Sequence, residues 1–125
     1  MNRPLDGTRV LDFTRVLAGP HAARMLCDLG AEVIKIEPPE GDLTRFGQPR
    51  LNSLATYFIQ QNVGKLNVSL NLADARAVDI ARKLVAVSDV VIENFRPGVM
   101  QRLGLGYETL AAQNERLISA SISGY

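Results

Sequence analysis

Two arginines and an asparagine–phenylalanine pair have the residue types needed to bind an anionic ligand. Arg15 follows one short apolar stretch, Asn94 and Phe95 follow another, and Arg102 comes soon after. The planar guanidinium fork of arginine suits phosphate groups, asparagine both donates and accepts hydrogen bonds, and phenylalanine can cover an adenine or an apolar chain. These residues favour a site for a phosphorylated carrier. The alternative is that Asn94 and Phe95 form a cap and a core contact while Arg102 is a solvated charge.

The segment 14–19, which together with Pro20 ends in the run LAGP, is a second candidate site. Ala18 and Gly19 are small, so a ligand could approach the backbone closely. A helix that begins here would offer free N–H groups and the positive end of its dipole. The segment lacks the glycine fingerprint of a dinucleotide site and the Gly-Lys of a P-loop. The alternative is that LAGP is only a turn between a strand and a helix.

Four other residues are weaker candidates. Glu37 comes about twenty residues after the first loop, where an acid grips a ribose in dinucleotide-binding domains, but the accompanying glycines are missing. Lys65 could meet an anion, although we expect a solvated lysine. His21 has no Cys, Asp or Glu at metal-ligand spacing, so we expect an ordinary residue of a helix's first turn. Cys27 has no base beside it, so we expect a buried, inert thiol. We therefore predict no metal site.

A parallel sheet is the element that would bring these residues together. Five segments have the composition of strands, namely 9–13, 31–37, 66–70, 89–92 and 116–123. Four segments have helical spacing with suitable start or stop residues, namely 20–29, 73–87, 97–103 and 107–113. Alternating strands and helices predict an α/β fold, a parallel sheet with flanking helices. Ligands bind such sheets beyond the carboxyl ends of the strands, where Arg15, Asn94 and Phe95 fall.

Some parts of the pattern are less regular. Residues 38–52 predict a long exposed loop, and residues 53–60 fit either a short helix or an extended piece. We predict a central strand at 89–92. In the first long helix the pattern places one apolar stripe on Ala18, Ala22, Met25, Leu26 and Leu29. In the second it places Ile80, Leu84 and Val87 on one face.

Size and composition narrow the class of protein. The chain has 125 residues and a net charge of +1 from 14 basic and 13 acidic residues. This length predicts one domain or part of one. With charges so nearly balanced, the sequence gives no electrostatic reason to expect binding to nucleic acid or to an anionic membrane. Because there is one cysteine, no apolar run of about 20 residues and no signal-peptide core at the start, we predict a cytoplasmic protein.

Five segments in order carry a family resemblance: PLDGTRVLDFTRVLAGP, LGAEVIKIEPPEGDLTR, YFIQQNVGKLNVSLNL, DVVIENFRPGVMQRLGLGYETL and ISASISGY. Together they resemble the N-terminal portion of the class III CoA-transferases, a family that includes formyl-CoA and carnitine CoA-transferases and alpha-methylacyl-CoA racemase. The resemblance covers essentially the whole chain. It implies that residues 1–125 are the N-terminal segment of a Rossmann-like CoA-binding domain, an incomplete part of the family's large domain.

The resemblance implies coenzyme A, carried as an acyl-CoA, as the ligand. It matches six residues to positions beside the CoA: Arg15, Ala18, Leu70, Asn94, Phe95 and Arg102. The sequence departs from the family pattern at four positions. Pro38 stands where some members carry Arg, Ala73 where some carry Lys, and Val63 and Leu66 replace two further charges. Fewer cations would then hold the phosphates, which implies a lower affinity.

The resemblance also implies where the chemistry occurs. Family members use a catalytic Asp beyond the Gly-Tyr at the end of this sequence, which attacks an acyl-CoA and passes CoA to a carboxylic acid through an aspartyl thioester. None of the aspartates at 12, 28, 42, 74, 79 or 89 matches it, so we expect no catalytic residue here and an inactive chain. The family implies a homodimer. Three alternatives stay open: a racemase-type fragment, a dinucleotide module that uses Glu37, and a non-catalytic interaction domain or remnant.

Overall fold

The computed structural model describes residues 2–124. In chain order its elements are β1 (Arg9–Asp12), α1 (Ala18–Asp28), β2 (Glu32–Glu37), a 3₁₀ turn (Leu43–Phe46), β3 (Arg50–Leu51), β4 (Leu54–Ala55), α2 (Thr56–Asn62), β5 (Leu66–Ser69), α3 (Ala75–Ala86), β6 (Val90–Glu93), α4 (Val99–Arg102), α5 (Tyr107–Ala111) and β7 (Ile118–Ser121). All five predicted strands are present, and each long predicted helix appears with slightly different ends.

The main sheet has the strand order β5-β2-β1-β6-β7, and every neighbouring pair is parallel. The predicted Rossmann-like parallel sheet with flanking helices is therefore confirmed, and the strand predicted to be central, β6, lies between β1 and β7. The chain leaves β1 towards β2 and β5, then returns to β1's other side at β6. This reversal creates a crevice between the ends of β1 and β6, where α/β sheets bind ligands.

Each face of the sheet has its own apolar core, because neighbouring residues of a strand point to opposite faces. Val10 packs on the face covered by α1, with Ala23, Ala31, Val33 and Ile92. Leu11 packs on the face covered by α3 and α5, with Phe13, Ile34, Ile36, Leu70, Val78, Val85, Val91, Met100, Leu105, Leu110 and Leu117. Burying each Val, Leu, Ile, Phe or Met side chain contributes about 1.5–3 kcal/mol, which makes the strands a firm support for the loops at their ends.

Three predicted helix starts were each misplaced by two residues, and α3 begins at Ala75 instead of the predicted Ala73. α1 begins at Ala18, two residues before the predicted Pro20, which lies in its first turn. α4 begins at Val99 instead of Pro97, because Gly98 precedes it in the left-handed conformation with a φ of 85°. Glycine reaches this region without steric cost, so the chain turns once more before the helix forms.

The predicted apolar faces of the two long helices were partly wrong. α3 leaves Ile80 and Val87 46% and 59% exposed, while α1 leaves Met25 and Leu29 54% and 44% exposed. The buried faces instead carry small residues: Gly19, Pro20 and Ala23 in α1, and Ala77, Val78, Ala81 and Val85 in α3. Small side chains let a helix approach the sheet closely, and a search for large apolar residues overlooks them.

The segment 38–52 is more structured than the predicted exposed loop. It contains the 3₁₀ turn and β3, and β3 pairs with β4 in a small antiparallel hairpin. Asp42 is only 1% exposed. Residues 53–60, which fitted two descriptions, contain both an extended piece, β4, and most of the helix α2. Within residues 2–124, no helix is long and apolar enough to cross a membrane.

Candidate functional site

A groove of about 320 Å³ lies at the carboxyl ends of β1, β2, β5 and β6. It is lined by Phe13, Arg15, Ile36, Glu37, Pro38, Glu40, Leu70, Asn71, Leu72, Ala73, Phe95, Val99 and Leu103. Its walls are mostly apolar, with one cation and two acids. The groove can therefore accept an apolar or aromatic group, and Arg15 is the cation among its described lining residues.

Arg15 and Asn94 are in direct contact at the crevice between β1 and β6. The side chain of Asn94 accepts a hydrogen bond from the Arg15 N–H at 2.8 Å and donates one to the Arg15 carbonyl at 2.7 Å. The Arg15 guanidinium carbon lies 5.2 Å from the centroid of the Phe95 ring. Three of the six predicted site residues are thus brought together, although Asn94 already uses both amide atoms on the backbone.

The other three predicted residues lie at different distances from this contact. Leu70 is buried directly after β5 and lines the groove. Arg102 is exposed and lines an adjoining cleft of about 510 Å³, which shares Leu72, Ala73 and Leu103 with the groove. Ala18 is exposed at the start of α1 and is not among the described residues that line the groove.

A buried ion pair beneath the first loop joins Asp12 and Lys65. The Lys65 ammonium lies 2.8 Å from an Asp12 carboxylate oxygen, and it also donates to the Pro20 carbonyl and the Asn62 side chain, each at 2.9 Å. The two side chains are 2% and 0% exposed. Burial lowers the pKa of Lys65, although the Asp12 carboxylate opposes that shift. The expectation of a solvated lysine was wrong, because its anion comes from a strand 53 residues away.

A second buried pair joins Lys35 and Asp42, and neither residue stood out in the sequence. The Lys35 ammonium donates to the Thr14 carbonyl at 2.7 Å and lies 3.3 Å from Asp42. Burial disfavours the Asp42 carboxylate, but hydrogen bonds from Thr44, the charge of Lys35 and the Val16 N–H together hold its pKa below the ordinary value. The available signal was Lys35 itself, a cation between two isoleucines in a buried strand.

Glu37 is a structural acid in this structure. Its carboxylate accepts two hydrogen bonds from Arg45, at 2.7 and 2.6 Å, one from the Asp42 N–H at 2.8 Å, and one from the Asn67 side chain. Burial raises the pKa of Glu37, but the Arg45 guanidinium and the Asp42 N–H outweigh it, so the pKa lies below its ordinary value. With these partners, little of the carboxylate is left for a ribose.

Three small features of α1 differ from or refine the prediction. Gly19 is buried against Thr14, and a Cβ on Gly19 would lie 2.3 Å from the Thr14 Cβ, so its small size serves the packing of the loop. His21 is exposed and lies 3.2 Å from the Gln61 side chain. Cys27 is half-buried instead of buried.

Among residues 2–124, no group of three or more His, Cys, Asp or Glu side chains is placed to hold a metal ion.

Comparison with known proteins gives consistent matches along the chain. The sequence profile of CoA-transferase family III matches residues 5–125. The chain is 48% identical to succinyl-CoA:glutarate CoA-transferase of Mus musculus, over 98% of this chain and 29% of that protein. It is 50% identical to acetyl-CoA:oxalate CoA-transferase of Acetobacter aceti, over 98% of this chain and 32% of that protein.

Solved structures agree with the sequence comparison. A CAIB/BAIF family protein from Brucella suis matches all of this chain and 34% of its own, with a TM-score of 0.94 and 45% identity. The chain thus spans about a third of the length of the relatives it matches. Because the profile covers nearly every residue and the described fold agrees with it, the chain belongs to CoA-transferase family III.

Proposed function

We propose that residues 1–125 form the N-terminal segment of the CoA-binding domain of a CoA-transferase. The enzyme would move CoA between an acyl-CoA and a carboxylic acid through an aspartyl intermediate, with the nucleophilic Asp outside this chain. The observation that carries the proposal is the groove at the β1–β6 crevice, in a member of CoA-transferase family III, where Arg15, Leu70 and Phe95 line one cavity.

The chemistry of the groove supports coenzyme A as the ligand. Leu70 and Phe95 offer an apolar wall for the adenine or the pantetheine arm, and Arg15 and Arg102 offer cations for the phosphates. Each charge-assisted hydrogen bond to phosphate contributes roughly 1.5–3 kcal/mol. Arg45 neutralises Glu37 on the opposite wall, so the acids there oppose an anionic ligand less than their number suggests. Ala18 and Asn94 would act beside these contacts, Asn94 by holding the Arg15 backbone.

The state of the aspartates supports a nucleophile outside this chain. All seven are engaged: Asp6 with Arg3, Asp12 with Lys65, Asp28 with Arg24, Asp42 with Lys35, Asp74 with Arg76, Asp79 with Arg82, and Asp89 with the Arg9 N–H. A nucleophilic carboxylate needs to reach an acyl carbonyl, and none of these occupies the groove.

In the proposed reaction a carboxylate oxygen attacks the acyl-CoA carbonyl and the CoA thiolate leaves, which produces a mixed anhydride. The thiolate then attacks the aspartyl carbonyl, releases the first acid as its carboxylate and forms the aspartyl-CoA thioester. The acceptor carboxylate then attacks the aspartyl-CoA thioester, which releases the CoA thiolate and forms a second mixed anhydride. The thiolate attacks the acceptor's carbonyl in this anhydride, which frees the aspartate carboxylate and gives the new acyl-CoA. The role of the present segment is to hold the CoA while the reacting carboxylate is supplied from elsewhere.

We also propose that the whole protein is a cytoplasmic homodimer. Large apolar side chains that are 40–78% exposed, including those of Leu17, Met25, Leu43, Phe46 and Leu51, support the association of subunits. Extended apolar surface of this kind marks sites of association. Further chain or a second subunit would cover it.

Calorimetric titration with CoA tests the proposed function. The chain should bind CoA weakly and without turnover, and Arg102→Ala should weaken binding roughly 10- to 150-fold, the loss of one charge-assisted hydrogen bond. Arg3→Ala is the matched control, because Arg3 pairs with Asp6 near the amino ends of the strands and should leave binding unchanged. Equal affinity of the Arg102 variant and the wild type would remove its assigned role. A saturable response to NADH with none to CoA would replace CoA by a dinucleotide.

A further inference from the structure

We propose that Asp42, together with its buried partner Lys35, is a positioning residue that holds Arg15 over the Phe95 ring. The role of the positioned Arg15 in binding CoA rests on the proposed function. The effect on the geometry of Arg15 stands independently, since it follows from contacts within the protein.

The backbone on both sides of Arg15 is held by side chains. The Asn94 side chain accepts a hydrogen bond from the Arg15 N–H at 2.8 Å and donates one to the Arg15 carbonyl at 2.7 Å. The Lys35 ammonium donates a hydrogen bond to the Thr14 carbonyl at 2.7 Å, and the Asp42 carboxylate accepts one from the Val16 N–H at 3.1 Å. Each of the four backbone polar groups nearest to the Arg15 Cα is therefore hydrogen-bonded to a side chain from another part of the fold. The Lys35–Asp42 pair supplies two of these four contacts.

The conformation of Val16 shows that the loop is held against a local preference. Its φ is 69°, in the left-handed region, which is a true outlier for a β-branched residue. Such a conformation persists only where the surrounding structure determines it. The hydrogen bond from the Val16 N–H to Asp42 is the contact that acts on Val16 itself. If it is lost, Val16 is free to return to an ordinary φ, and Arg15 turns with it.

The Arg15 side chain depends on this support. Among the residues described, it has no ion-pair or hydrogen-bond partner, and its one recorded interaction is with the Phe95 ring at 5.2 Å. Asp42 and Lys35 are each 1% exposed, so water does not compete for their contacts. A rigid backbone thus carries an unpaired cation to the mouth of the groove.

Nuclear magnetic resonance of the Arg15 side chain tests the proposal without any ligand. The Arg15 guanidinium carbon lies 5.2 Å from the centroid of the Phe95 ring, so the proton on the adjoining Nε should show a ring-current shift. The signal is assigned by its absence in Arg15→Lys, and the shift should collapse in Phe95→Leu. In Asp42→Asn the shift should move towards the value it has in Phe95→Leu. Val85→Ala is the control for lost stability, since Val85 is fully buried in α3 and makes none of the hydrogen bonds that hold the loop. It should leave the shift in place.

A second variant covers the outcome that Asp42→Asn does not fold. Lys35→Met with Asp42→Asn removes both buried charges, which avoids an uncompensated ion in the interior, and should also lose the ring-current shift. An unchanged shift in either folded variant, or an equal change in Val85→Ala, would overturn the proposal.

CoA titration of the same variants separates the positioning role of Asp42 from the proposed function. Loss of the shift in a protein whose wild type does not bind CoA supports the positioning role while contradicting the proposed function.

Discussion

Lys35 and Lys65 bury their ammonium groups beneath the first loop, and each reaches a carboxylate there. The residue types of this network are visible in the sequence, but its pairing is not. Asp12 and Lys65 are 53 positions apart, and nothing in the spacing of either residue indicates the other. Arg15, Asn94 and Phe95 were predictable as neighbours because each lies within three residues of the carboxyl end of a strand. Lys65 was not predictable, because its environment is decided by how α2 packs over α1.

Lys65→Met should destabilise the protein by about 3–5 kcal/mol, the usual cost of leaving a buried charge without its partner. Urea unfolding at neutral pH measures this loss. Lys83→Met, on the exposed surface of α3, is the matched control and should change stability by no more than about 0.5 kcal/mol. Similar unfolding midpoints for the two variants would show that the Asp12–Lys65 pair is not buried as described.

The acids Glu37 and Asp42 predict a loss of stability in acid. Their folded pKa values lie below the ordinary 4.5 and 3.8, so the unfolded chain takes up protons first as the pH falls. The stabilisation is fully present above these values and declines as the pH drops through them towards the folded pKa values. Unfolding free energies measured across this window should fall more gently in Glu37→Gln. Glu115→Gln, an exposed control, should keep the wild-type slope, and an identical slope in both variants would contradict the pairing of Glu37.

Among the elements, the strands were predicted well and the helix faces poorly. Strands β1, β2 and β6 are short runs of apolar residues bounded by polar ones, so their positions are clear from sequence. The buried faces of α1 and α3 carry Gly, Ala, Pro and Val, while larger residues such as Met25 and Ile80 face solvent. The segment 38–52 was predicted as exposed because its Pro and Gly content conceals Asp42, the residue that ties it to the core.

Gly19 provides a test of how closely α1 approaches the first loop. Gly19→Ala would place a Cβ 2.3 Å from the Thr14 Cβ, and this overpacking should cost about 1–3 kcal/mol. Gly47→Ala is the control, because its Cβ would find its nearest neighbour at 3.7 Å, an ordinary contact. Thermal unfolding of the two variants measures the difference. A tolerated Gly19→Ala would mean that the helix does not lie where the structure has it.

At the scale of the whole molecule, the strand order decides which loops meet. Because β6 returns beside β1, residues 15 and 94, which are 79 positions apart, come into contact at the crevice. The general rule for parallel sheets predicted this meeting. It did not predict that Arg102, at the end of α4, would line a separate, adjoining cleft. Large apolar side chains remain exposed at α1, the 3₁₀ turn and β3, which is the surface that the proposed association would cover.

A crystal structure of the chain with CoA tests the central claim most directly. We predict that CoA occupies the groove at the ends of β1 and β6, with its adenine or pantetheine against Leu70 and Phe95 and its phosphates within hydrogen-bond reach of Arg15 or Arg102. CoA bound at any other face of the sheet, or an empty groove at saturating CoA, would contradict it.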